Sequence, residues 1–228
     1  MSRNITFAPG EFYHIYNRGT EKIKTFRTEI NYRRFIALLY LANSSLPVPT
    51  IFRDTRGRTS WDLFNFRREE TLVDICAYCL MPNHFHLIVK EKEDGGLSKF
   101  MQKLITAYTM YFNTLHNRNG ALFQGKFKAT HVDNDKYLSY LIAYLHLNPV
   151  KLIDSKWKKN GIRNKRKTEQ FLNHYSYSSF IDYCGLDRIE KVILVLDVLP
   201  KYTETPKDFK DSITQWLDYP HEVEPRGI

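Results

Sequence analysis

The chain has 228 residues, 43% of them hydrophobic and 14% aromatic, and its net charge is +9. That length suits one domain with a real core plus an appendage, and the aromatic content excludes a disordered chain. The basic balance points to a polyanionic partner, nucleic acid in the simplest case. Three cysteines, Cys76, Cys79 and Cys184, supply no disulfide framework and suit a reducing compartment. The start, MSRNITFAPGEF, lacks the apolar run of a signal peptide, and the longest apolar stretch, 35–42, is far short of the roughly 20 residues that span a bilayer. A soluble, cytoplasmic protein is expected.

Taken in order, Phe12 to Tyr16 is aromatic and β-branched and runs into the turn signal Asn17-Arg18-Gly19, which predicts a first strand. From about Glu29, Phe35, Leu38, Leu39 and Ala42 fall at helical spacing. Residues 44–70 are poorly periodic and arginine-rich (Arg53, Arg56, Arg58, Arg67, Arg68) and read as a long basic insertion. Leu72 to Leu80 and His84 to Val89 predict a hairpin about the turn Met81-Pro82-Asn83. Gly95-Gly96 opens a long helix whose apolar stripe includes Leu97, Met101, Leu104, Tyr108 and Phe112. A short strand near Phe127 to Val132 follows. Asp133 or Asn134 then caps a helix that Pro149 ends. Beyond residue 153 the chain turns basic, and short helices are expected near Tyr177–Tyr183 and Pro206–Leu217. The order β-α-β-β-α-β-α predicts an α+β fold, an antiparallel sheet with helices packed on it.

The chemistry concentrates at His84-Phe85-His86. On a strand, side chains alternate faces, so both imidazoles point one way, within reach of a single metal ion, and Phe85 points into the core. Taken alone, such a pair is more often two surface histidines. A Cys2His2 zinc site using Cys76-x2-Cys79 is disfavoured, because residues an odd number apart on a strand face opposite sides.

The segment Met81-Pro82-Asn83-His84-Phe85-His86-Leu87-Ile88-Val89, with Tyr144-x3-Asn148-Pro149-Val150 downstream, resembles the HUH single-tyrosine transposases. (HUH denotes two histidines flanking a hydrophobic residue.) Asn17-Arg18-Gly19 and Leu122-Phe123-Gln124-Gly125-Lys126-Phe127-Lys128 are similar to the REP-associated branch, and the resemblance covers about residues 10 to 153. It implies a ferredoxin-like or RRM-like nuclease core over 1–153 and a basic, mostly helical extension over 154–228. It implies that His84, His86 and Asn148 bind the metal and that Tyr144 is the nucleophile. Compact insertion-sequence relatives usually carry Gln where Asn148 stands. Tyr144 and Asn148, four apart, share one helix face, which agrees. Tyr108, Tyr111, Tyr137 and Tyr140 also lie on predicted helices, so the choice of Tyr144 rests mainly on the resemblance. Asn148 precedes a proline, which disfavours helical backbone and suggests a frayed end.

The implied reaction is site-specific cleavage and strand transfer of single-stranded DNA, on imperfect palindromes folded as hairpins, through a 5′-phosphotyrosine. Mg2+ or Mn2+ suits a set of two imidazoles and an amide oxygen with open positions. Arg18, Gln124, Lys126, Lys128, Lys156, Lys158, Lys159, Arg163, Lys165 and Arg166 are the candidate DNA contacts, with Phe123 and Trp157 as stacking partners for bases. For any single lysine, a solvated surface position is the commoner outcome. His14 reads as a surface histidine or a residue lining the site. A rolling-circle replication initiator would use the same chemistry, and a non-catalytic nucleic-acid-binding protein could use the same sheet. Relaxases typically place the tyrosine ahead of the histidines. The resemblance leaves a monomer or a homodimer open, with the extension favouring a monomer.

Overall fold

A computed structural model describes residues 5–47, 63–199 and 205–218. Strands β1 (Phe12–Arg18), β2 (Val73–Met81), β3 (His84–Glu91) and β4 (Lys128–Val132) form one antiparallel sheet in the order β2-β3-β1-β4. Helix α1 (Glu29–Ala42) joins β1 to β2, and α2 (Gly96–Leu115) joins β3 to β4. This is the ferredoxin-like β-α-β-β-α-β arrangement, and the α+β expectation stands.

Alternation along the strands makes two unlike faces. Ile15 of β1 and Phe85, Leu87 and Val89 of β3 meet Phe35, Leu38 and Leu39 of α1 and Phe100, Leu104 and Tyr108 of α2 in one buried cluster. Phe85 is fully buried there, so truncating it to alanine would cost about 3–5 kcal/mol. Its burial pins β3 with His84 and His86 on the opposite face. That opposite face is covered by α3 (Asp135–Leu147), whose Leu138, Leu141, Ile142 and Leu145 pack with Cys79, Met81 and Ile88. Asn134 caps α3 by accepting a hydrogen bond from Tyr137 N at 2.8 Å, which settles the choice between Asp133 and Asn134.

Two local expectations fail for identifiable reasons. A β-bulge between Ile75 and Ala77 shifts the β2–β3 register, so Cys76 and Cys79 join the same cluster beneath α3 instead of facing opposite sides. Asn148 is not frayed. Its dihedrals are helical (φ −52, ψ −41), and the chain tightens directly into a 3-10 turn, Asn148–Leu152, with Pro149 near its start. Proline's missing N–H costs nothing at such a position, so the preference of pre-proline residues is overridden.

After that turn come α4 (Trp157–Asn160), α5 (Lys165–His174), α6 (Phe180–Tyr183) and α7 (Pro206–Asp218). Residues between them cover the free edge of β2. Leu80 N donates to Tyr177 O at 2.9 Å, Ser179 N to Tyr78 O at 2.9 Å and Val195 N to Ile75 O at 3.0 Å. An otherwise open edge strand is thereby satisfied. Arg188 fastens the same region, donating to the buried Asp182 at 2.8 Å and to Tyr78 Oη at 2.8 Å. Of the basic insertion, Arg53, Arg56 and Arg58 lie outside the described residues, while the Arg68 guanidinium stacks 3.7 Å from the Tyr40 ring. Among the described residues, no helix is long and apolar enough to cross a membrane.

Candidate metal and nucleophile site

The site lies where the histidine face of β3 meets β1 and α3. His84 pairs across the sheet with Arg18, and His86 pairs with Tyr16. Gly19 makes the end of β1 possible. A Cβ there would collide with Ile23 O and the Thr25 side chain, and Gly19 N donates to Asn83 O at 2.8 Å. The end of the first strand is thus tied to the turn that presents His84.

Each imidazole has one nitrogen occupied. His84 Nδ1 donates to Asn83 Oδ1 at 2.7 Å, which leaves its Nε2 as a bare lone pair. His86 Nδ1 shares a proton with His14 Nε2 at 3.0 Å. When His86 is the donor there, its Nε2 is also a bare lone pair. Neither Nε2 has a hydrogen-bond partner among the described residues. His14 is therefore no surface residue. It is fully buried, stacked 5.1 Å from Tyr16 and 5.2 Å from His86, and it supports a predicted ligand from behind.

Electrostatics keep the pair neutral. Burial, then the charges of Lys151, Arg18 and Lys158, lower the His84 pKa to about 4. Burial holds His86 well below the ordinary histidine value, with His84, His14 and Lys158 adding to the effect. Neutral imidazole is the form that binds a metal.

Tyr144 lies against His86. Its ring meets His86 edge-on, with centroids 6.1 Å apart at 90°. Its hydroxyl accepts a hydrogen bond from Lys158 Nζ at 3.0 Å. Asn148 follows one helical turn later, only 4% exposed, and its Nδ2 is buried with no hydrogen-bond partner. The two bare ring nitrogens suit a divalent ion; from Asn148 only the amide oxygen could ligate one, because the buried Nδ2 carries hydrogens. Among the described residues, no three His, Cys, Asp or Glu side chains gather into a metal cluster.

The candidate DNA contacts divide. Arg18 and Gln124 come together beside His84: Arg18 Nη2 donates to Gln124 Oε1 at 3.3 Å, and Gln124 N donates to Arg18 O at 2.8 Å. The Lys128 ammonium lies 5.8 Å from the Tyr16 ring. Lys158 is half-buried against Tyr144, whereas Lys126, Lys156, Lys159, Arg163, Lys165 and Arg166 are exposed. Phe123 and Trp157 are only 3% and 2% exposed, so neither is available to stack on a base. Phe123 instead meets Phe85 in the core, centroids 5.6 Å apart. Lys151, whose charge reaches His84, went unremarked in the sequence, because only the turn after α3 brings it near.

Residues 50–148, a segment that carries His84, His86, Tyr144 and Asn148, match the model of the family described as "Transposase IS200 like". The matched segment is a little under half of the chain. A solved structure described as "Structure of the REP associates tyrosine transposase bound to a REP hairpin" is similar at 15% identity with a TM-score of 0.48, over 83% of this chain and 90% of that one. Among curated proteins, no relative matches.

Proposed function

We propose that this protein cuts and rejoins single-stranded DNA at hairpin-forming sites, using Tyr144 as nucleophile. The observation that carries the reading is the Tyr144 phenol, held by Lys158, against a face bearing two neutral imidazoles, His86 buried and His84 half-buried. A non-catalytic binding protein would need neither the neutral pair nor the phenol against it.

His84, His86 and Asn148 would hold Mg2+ or Mn2+, which would supply positive charge to offset the negative charge developing on the phosphate. Asn83 and His14 orient the two imidazoles so that their bare nitrogens face the site. The Tyr144 oxygen attacks phosphorus as the bond to O3′ breaks, which gives a 5′-phosphotyrosine and a free 3′-OH. The phosphodiester's energy is kept in that link, so a second 3′-OH can displace the tyrosine without ATP. Arg18, Gln124, Lys126 and Lys128 on one side, and the exposed Lys156, Lys159, Arg163, Lys165 and Arg166 on the other, would carry the strand. We place the catalytic core at 1–153 and the extension at 154–228, acting in the cytoplasm.

The test is incubation of the protein with labelled single-stranded hairpins and their duplex counterparts, with Mg2+ or Mn2+ present. A denaturation-resistant protein–DNA adduct on the single-stranded hairpins alone supports the reading. Hairpin binding with no adduct favours the binding module.

A further inference from the structure

Lys158 belongs by sequence to a run of basic residues, yet it is set apart from them. Lys156 and Lys159 are exposed on either side, whereas Lys158 is half-buried. Its direction is fixed by its neighbour: Trp157 is sunk in the cluster beneath α3, and Asp154 O accepts from Trp157 N at 3.4 Å. With Trp157 pointing inward, the one-turn helix α4 turns its next residue onto α3. Lys158 Nζ then sits 3.0 Å from Tyr144 Oη and 4.4 Å from the centre of the same ring. Its charge also reaches both His84 and His86.

A cation that merely tracked the DNA backbone would point to solvent. We propose that Lys158 is a catalytic residue, whose ammonium hydrogen-bonds the Tyr144 oxygen and offsets its negative charge when it attacks phosphorus and when it departs. The assignment rests on Tyr144 being the nucleophile. In cleavage the phenol gives its proton to water, the Oη–P bond forms, the P–O3′ bond breaks, and O3′ takes a proton from water. In strand transfer an incoming 3′-OH loses its proton to water, its oxygen bonds to phosphorus, and the Oη–P bond breaks. The departing phenolate is the species that most needs a neighbouring cation, because its charge would otherwise sit in a closed site.

The experiment compares wild type, Lys158→Met and Lys158→Arg in single-turnover cleavage of a labelled hairpin, with hairpin affinity measured in the Tyr144→Phe background. The expected result is a loss of about 100-fold in cleavage for Lys158→Met, the scale of removing one such donor, with affinity nearly unchanged. Lys158→Arg keeps most of the rate. A difluorinated tyrosine at position 144, whose oxygen holds negative charge more easily, recovers part of the Lys158→Met loss, which no purely structural role explains. A rate that falls only in step with affinity overturns the assignment and makes Lys158 a phosphate contact, as does an absence of recovery by the fluorinated residue. If wild type forms no adduct, or Tyr144→Phe still forms one, the nucleophile reading itself fails and the assignment falls with it.

Discussion

The Tyr144 ring stands perpendicular to the ring of His86, 6.1 Å away, while Tyr16 lies nearly parallel to that same imidazole at 6.0 Å. Two phenols therefore approach one predicted ligand. Burial raises the Tyr16 pKa, offset in part by a hydrogen bond with Thr130, and Tyr16 lies on the sheet instead of on the helix that bears Asn148. Tyr16→Phe should keep the covalent adduct. Loss of the adduct in that variant, with hairpin binding intact, would shift the nucleophile to β1.

The ligand set predicts an affinity. His84→Ala, His86→Ala and Asn148→Ala should each weaken Mn2+ binding, followed by calorimetry without DNA, by at least about tenfold. His14→Ala, which removes the partner of His86 Nδ1, should weaken it less than His86→Ala does. Unaltered Mn2+ affinity in the Asn148 variant would remove the amide from the set.

Arg188 and Asp182 form an ion pair whose carboxylate is fully buried, and the guanidinium also binds Ser178 O at 2.7 Å. Arg188→Met leaves that carboxylate uncompensated and loosens the cover over β2. A loss of about 3–5 kcal/mol in urea unfolding is expected. A cost near that of an exposed pair, at most about 1 kcal/mol, would show that the edge cover is held by its backbone hydrogen bonds alone.

Buried histidines give the fold an acid limit. Burial lowers His14 and His146 to about 3 and, with nearby cations, His84 to about 4. An unfolded histidine titrates near ~6.5. Below that pH the unfolded chain takes up protons that the folded chain refuses, so this stability is whole above about 6.5 and drains away as pH falls toward 4 and then 3. The Tm of metal-free protein should fall between about pH 7 and pH 5, and a flat or rising Tm over that range contradicts the assignment.

How much of this was legible in the sequence follows from which forces are local. Strand alternation is local, and it put His84 and His86 on one face and Phe85 in the core. The bulge at Cys76 is not encoded by any pattern of types, so alternation misplaced one cysteine. The pre-proline preference alone predicts a frayed end at Asn148, and the 3-10 turn that accommodates Pro149 overrides it. Their basic surroundings suggest Phe123 and Trp157 as stacking partners for bases, yet tertiary packing claims both. The same burial of Trp157 aims Lys158 at Tyr144, a contact across fourteen residues that no local spacing announces. The sequence offers His14 as a surface or site-lining residue but hides its burial for a similar reason, since its partner lies two strands later in the chain.

The central claim is that one phenol, on α3, receives the phosphate. Wild-type protein should be trapped on a hairpin, digested, and its nucleotide-bearing peptide read by mass spectrometry. The account predicts a nucleotide mass on the peptide containing Tyr144, carried through a 5′ phosphate, and on no other tyrosine. A modified Tyr16, Tyr140 or Tyr137, or a cleaved strand with no modified peptide, would contradict it.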